Sequence, residues 1–104
     1  MRTYTQEESF EWDETKNETN IRKHGLDFRD APELFDSPML VRLDNREDYG
    51  ETRWVGVGVI HGRVAVVVYT ERGRGKTIRI ISLRKALKHE QQDYIRLRNR
   101  LGSH

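Results

Sequence analysis

The stretch RWVGVGVIHGRVAVVVYT, residues 53–70, decides the fold. Two valine-rich runs, 53–60 and 63–70, flank His61-Gly62. A two-residue connection between apolar runs is the pattern of a β-hairpin. Neither run approaches the roughly 20 apolar residues that a membrane-spanning helix needs.

Working toward the C-terminus, 71–76 contains Gly73 and Gly75 and reads as a flexible turn, and 77–83 reads as a further strand. A helix is expected over 84–101, with Leu87, Tyr94, Leu97 and Leu101 on one seam and bases around it. Working toward the N-terminus, 44–52 is a charged loop and 39–43 another candidate strand. Before that, from Leu26 onward, lies a helical segment with Leu34 and Phe35 as apolar contacts, which Ser37-Pro38 ends. Pro32 either delays its start to about Asp30 or bends it. Asp13 is a good N-cap for a first helix running through His24, and Gly25 stands where a left-handed residue closes a helix. In that helix Asn17, Asn20, Ile21 and His24 share a face. Residues 10–12 form a short strand or an extended lead-in. The expected fold is therefore α+β: N-terminal helices, an antiparallel sheet of three to four strands, and a C-terminal helix.

The length suits one domain over 1–104, with 1–8 a flexible lead-in and 102–104 a frayed end. Cysteine is absent, which excludes disulfides and thiolate metal sites and points to a reducing cytosol. The first thirteen residues carry carboxylates and no apolar stretch, unlike a secretory signal, so a cytoplasmic protein without membrane contact is expected. The net charge of +2 hides an asymmetry: residues 1–52 sum to −7 and residues 53–104 to +9. An acidic face that neutralises a basic one accounts for part of this. A basic half of that size also attracts phosphates and releases counterions when it binds them. RNA is the expected polyanion.

The available chemistry is narrow. His24, His61, His89 and His104 are scattered and none forms a helical zinc spacing, so no metal or other cofactor is expected. Asp44, Glu47 and Asp48 offer oxygens to a hard cation but lack the ligand order of a calcium loop. Residues 72–76 set glycines beside cations without the pattern of a phosphate loop. No cysteine nucleophile and no serine elbow is present. Phosphate chemistry without a metal remains: the 2′-hydroxyl of RNA attacks its own phosphate, helped by a base, an acid and cations. Arginine suits the last role, because its fork matches phosphate oxygens and keeps its charge. Arg53, Arg63, Arg72, Arg79 and Arg84 lie on or beside the expected sheet, and His24, His89, Glu90, Tyr69 and Tyr94 are candidates for proton transfer.

Each candidate also has a plain structural role open to it. Arg79 alternates with Ile78 and Ile80 and can simply face solvent; His24 can be a helix cap; Tyr69 and Tyr94 can be core aromatics. Trp12 and Trp54 read as core, and Lys88 and Arg96 as solvated helix residues. Glu90 lies between Leu87 and Tyr94 in helical phase and so needs a cation, Arg84 or Arg79. That pairing either fixes the helix or orients an arginine for chemistry. A non-catalytic basic RNA- or protein-binding module is the alternative to an enzyme, and a structural subunit of a complex is a third class.

An ordered set of residues resembles the BrnT-type ribonuclease toxins of bacterial type II toxin–antitoxin modules. It starts at Phe10-Glu11-Trp12-Asp13, Lys16 and Asn20 and reaches Lys23-His24-Gly25. Phe28, Ala31, Phe35 and Asp36 follow, then Glu51 and Arg53. The set closes with Val67-Val68-Tyr69-Thr70, Arg72, Arg79-Ile80-Ile81-Ser82, Arg84, Ala86, Glu90 and Tyr94, so it covers about residues 10–94. Pro32 departs from a regular second helix. The resemblance implies a RelE-like fold with a curved antiparallel sheet against helices, and mRNA cleavage that arrests growth. It implies neutralisation by a cognate antitoxin with a ribbon-helix-helix part, through which the pair reaches operator DNA. It places Lys23, His24, Arg53, Ser82 and Arg84 at or near the active surface. The expected catalytic residues are Lys23, His24, Arg53 and Arg84; Arg63, Arg72, Arg79, Ser82 and Lys85 are expected against RNA, with Glu90 and Tyr94 behind them. It does not distinguish the base from the acid.

Overall fold

The structure, a computed structural model, describes residues 4 and 8–102. The chain runs β1 (Ser9–Glu11), α1 (Glu14–His24), a 3-10 helix (Phe28–Asp36), β2 (Leu40–Leu43), β3 (Trp54–Ile60), β4 (Arg63–Arg72), β5 (Thr77–Lys85) and α2 (Lys88–Gly102). The fold class is α+β, but the sheet has five strands in the order β1-β5-β4-β3-β2. It is mixed: β1 pairs parallel with β5, while the other neighbours are antiparallel. This corrects the expectation of a three- to four-stranded antiparallel sheet. A three-residue strand with one apolar side chain carries almost no pattern of its own, and its partner lies nearly seventy residues away.

Local chemistry sets the ends of α1. The Asp13 carboxylate accepts from the Lys16 N–H at 3.1 Å, and Gly25, at φ +70°, donates its N–H to the Ile21 carbonyl. Asn17 and Asn20, a helical turn apart, are buried and serve the backbone. Asn17 accepts from the Phe28 N–H and donates to Asp27, so it starts the next helix. Asn20 donates to the Leu83 and Leu26 carbonyls and accepts from the Leu83 N–H. Its amide thus pairs the outer edge of β5 where β1 has ended. Ile21, expected on the same face, is exposed.

The second helical segment is 3-10 throughout and begins at Phe28, two residues after Leu26 and two before Asp30, the start that Pro32 would impose. Pro32 has no N–H to give to an α-helical ladder, and the tighter turn tolerates it. Phe28, Ala31, Leu34 and Phe35 point inward at three- and four-residue spacing. His61 and Gly62 have φ +51° and +74°, the two positive angles of a type I′ hairpin turn.

Alternation along the strands divides the sheet into two faces. Ile60, Ala65, Val67, Tyr69, Ile78, Ile80 and Leu83 face the 3-10 helix and form the main core with Phe28, Leu34 and Met39. Trp12 and Trp54 pack at its margin, as expected of them. Gly56 and Gly58 leave room for Met39, whose Cγ would lie 3.0 Å from a Cβ at Gly58. Val55, Val66 and Val68 lie on the opposite face with Ala86, and Val57, Val64 and Ile81 pack against them.

Two expectations at the C-terminus need correction. The last strand continues to Lys85, so the helix begins at Lys88 rather than Arg84, and it extends to Gly102. Arg84 and Lys85 are therefore strand residues paired with Val66 and Ala65. The seam is also largely unburied: Tyr94 is covered, but Leu87 and Leu101 are exposed. The expected lead-in over 1–8 and the end at 103–104 fall mostly outside the described residues. Among the described residues no helix is long and apolar enough to cross a membrane.

Candidate nucleic-acid interface

The second face of the sheet gathers the arginines. Register places Thr70 beside Arg79 and Arg72 beside Thr77, while Val68 pairs with Ser82 and Val66 with Arg84. All of these alternate with core residues and so project from the face opposite the core. Arg53 precedes Trp54, which packs on the core side, and so belongs to the same face as Val55. The ladder shifts register between Val68 and Tyr69, so that Ile81 is an extra residue on β5. Such a bulge bends and twists a strand locally. Here it directly precedes Ser82, two residues before Arg84.

Four arginines of this face are each braced by a carboxylate. Arg53 meets Glu51 at 3.1 Å, Arg72 meets Glu51 at 3.6 Å and Glu11 at 3.8 Å, and Arg79 meets Glu11 at 3.6 Å. These pairs are partly exposed and contribute little to stability, but they hold guanidinium groups side by side with donors left over. Arg53 also lies over the Tyr49 ring, 4.1 Å from its centroid. Arg84 is held most tightly: Glu90 takes both of its terminal nitrogens, at 2.8 and 2.9 Å. Glu90 also accepts from the Leu87 N–H at 2.7 Å, which is half of a capping box at the start of α2. The Arg84 hydrogen bonds, opposed by burial, hold the Glu90 carboxyl at about 2, and the same pairing raises the Arg84 pKa. Of the two cations offered by sequence, Arg84 is the partner, and Arg79 pairs with Glu11 instead.

Lys23 and His24 approach from another side. With Lys16 and Thr19 of α1 they line a shallow groove of about 260 Å³ whose other wall is Ile81 and Ser82. Ser82 is thus the link between this groove and the arginine face. A second groove, of about 300 Å³, runs between the sheet and α2, with Leu40, Val55 and Val57 opposite His89, Glu90 and Asp93. Arg63 and Lys85 pair with Ile60 and Ala65 and so fall on the core side of the strands, apart from the arginine row. Tyr94 is buried and its hydroxyl donates to the Pro38 carbonyl, and Tyr69 is a core residue bonded to the Tyr4 hydroxyl.

The loop 44–53 holds what sequence reasoning passed over. Asp44 offers nothing to a hard cation, because Arg46 Nε and Nη2 occupy both of its oxygens at 2.8 and 2.9 Å. Among the described residues no three His, Asp or Glu side chains converge as metal ligands. Arg46 and Tyr49 carried no periodic signal; only the strand register reveals that this loop borders the arginine face. Glu11 and Glu51 were visible only as members of the resembling set.

A comparison with curated proteins gave no match. The family model described as ribonuclease toxin, BrnT, of type II toxin–antitoxin system matches residues 12–90.

Proposed function

Since the chain belongs to the BrnT family of type II toxin–antitoxin ribonuclease toxins, we propose that its arginine face is where RNA is bound and cut. The observation that carries this reading is the row of Arg53, Arg72, Arg79 and Arg84 on one side of the sheet, each with a carboxylate partner. In the proposed reaction a 2′-oxygen attacks the adjacent phosphorus and the bond to the 5′-oxygen breaks. A 2′,3′-cyclic phosphate results. A base takes the 2′ proton and an acid returns one to the departing oxygen. Arg53 and Arg84 stabilise the charge that grows on the phosphate, and Arg72 and Arg79 bind flanking phosphates. Lys23 and His24 reach the same strand through the Ser82 groove, and His24 is a candidate for proton transfer there. No metal takes part.

The protein partner in this reading is an antitoxin that covers the arginine face and blocks phosphate entry. Its DNA-binding part is a ribbon-helix-helix, and it alone contacts operator DNA. The toxin acts on mRNA in the cytoplasm, and its sheet and helices are a variant of the RelE-like arrangement. The test is direct: purified protein should cut RNA in EDTA and leave DNA of the same sequence intact. Equal cutting of DNA, or cutting that appears only with added magnesium, would overturn the mechanism.

A further inference from the structure

We propose that Arg46 is a further phosphate-binding residue of the arginine face and that Asp44 is the residue that positions it. The inference rests on the ribonuclease reading and extends its binding surface to the loop 44–53. Asp44 follows β2, and its N–H donates to the Arg53 carbonyl at 2.8 Å, one step beyond the last paired residues, Leu43 and Trp54. That step continues the alternation of Leu40 and Arg42, so Asp44 belongs to the face that carries the arginines. Its side chain is fully buried, 0% exposed, whereas that of Arg46 is 68% exposed.

This pairing is unlike an ordinary surface ion pair. Desolvating a carboxylate is costly unless its lone pairs are filled. Here they are filled side-on by Nε and Nη2 of Arg46, with the Arg46 N–H as a further donor at 3.4 Å. Side-on pairing fixes the plane of the guanidinium and leaves Nη1 directed away from Asp44. Tyr49, whose ring supports Arg53, belongs to the same loop. The charge of Arg46 also opposes that of Arg84, so the two guanidinium groups are held within electrostatic range of each other. A phosphodiester between them would replace that repulsion with two attractions.

The experiment measures binding of the full chain to a single-stranded RNA with 2′-O-methyl sugars, which cannot be cleaved, across a salt series. Arg46→Ala should weaken binding about tenfold and reduce the log–log salt slope by about 0.7, the value for one phosphate contact on a single strand. Arg96→Ala, on the exposed side of α2, should change neither. Asp44→Asn should weaken binding severalfold in the wild-type background and have no further effect in Arg46→Ala, as expected of a residue that acts through Arg46. Wild-type affinity and slope in Arg46→Ala, with RNA still cleaved, would overturn this inference and leave the ribonuclease reading intact. Equal effects of Asp44→Asn in both backgrounds would overturn the positioning role. A wild-type protein that neither binds the probe nor cuts RNA would overturn both readings.

Discussion

Glu90→Gln is the substitution that separates architecture from chemistry. Glu90 accepts three hydrogen bonds, two from Arg84 and one from the Leu87 N–H, and its side chain is 13% exposed. Its carboxyl is held at about 2 instead of the usual 4.5, which at face value corresponds to about 3 kcal/mol at neutral pH. Arg84 is a third exposed, so solvent screening reduces that figure. Gln keeps the shape, can still cap the Leu87 N–H, and can accept from one nitrogen of Arg84. A loss of about 1–2 kcal/mol is therefore expected, a fall in melting temperature of roughly 5–10 °C for a domain of this size. A carboxyl with a lowered folded-state pKa stabilises fully above its unfolded value. Its contribution disappears as pH falls, so the gap between wild type and variant should close between about pH 4.5 and 2. Cleavage per folded molecule should fall tenfold or more, about 1.4 kcal/mol in the barrier, because Arg84 loses its fixed fork. Thermal unfolding across pH and single-turnover cleavage of one RNA measure the two effects. Lower melting with unchanged cleavage would reduce Glu90 to a helix clamp and remove the argument that it orients Arg84. No change in either would refute the geometry itself.

Three further outcomes follow from the packing. Asn20→Ala leaves the Leu83 N–H and carbonyl and the Leu26 carbonyl without their buried partner, so unfolding in urea should show a loss of about 2–4 kcal/mol with an unchanged m-value. Gly58→Ala places a Cβ 3.0 Å from Met39 Cγ and 3.1 Å from Leu34 Cδ2, and should destabilise by about 1–3 kcal/mol. A neutral or stabilising result in the same assay would show that the core under β3 is loosely packed. Charge reversal at Arg53 or Arg84 should weaken the complex with the cognate antitoxin, measured by titration calorimetry; unchanged affinity in both variants would place the interface elsewhere.

Local signals were legible because they need no knowledge of distant partners. Asp13 and Gly25 bound α1 as read, the hairpin turns at His61-Gly62, and Arg79 lies opposite Ile78 and Ile80. Non-local features were not. The parallel pairing of β1 depends on the edge that β5 presents, and a run of three residues does not announce it. Leu87 looked like the first seam residue of a helix, yet it is the exposed N-cap; the capping group is Glu90, which reaches back to it. The arginine row needed the register of β4 and β5, including the bulge, before Arg72, Arg79 and Arg84 could be placed on one side. Asp44 and Arg46 looked like loop charges, because only burial distinguishes an anchoring carboxylate from a solvated one.

The central claim is that the RNA supplies its own nucleophile on the arginine face. The measurement that tests it most directly uses one RNA oligonucleotide and a copy with a single 2′-deoxy sugar at the cut site, both in EDTA. The account predicts that the parent yields a 2′,3′-cyclic phosphate and a 5′-hydroxyl while the deoxy copy stays whole. Cleavage of the deoxy copy, or products ending in a 5′-phosphate, would contradict it.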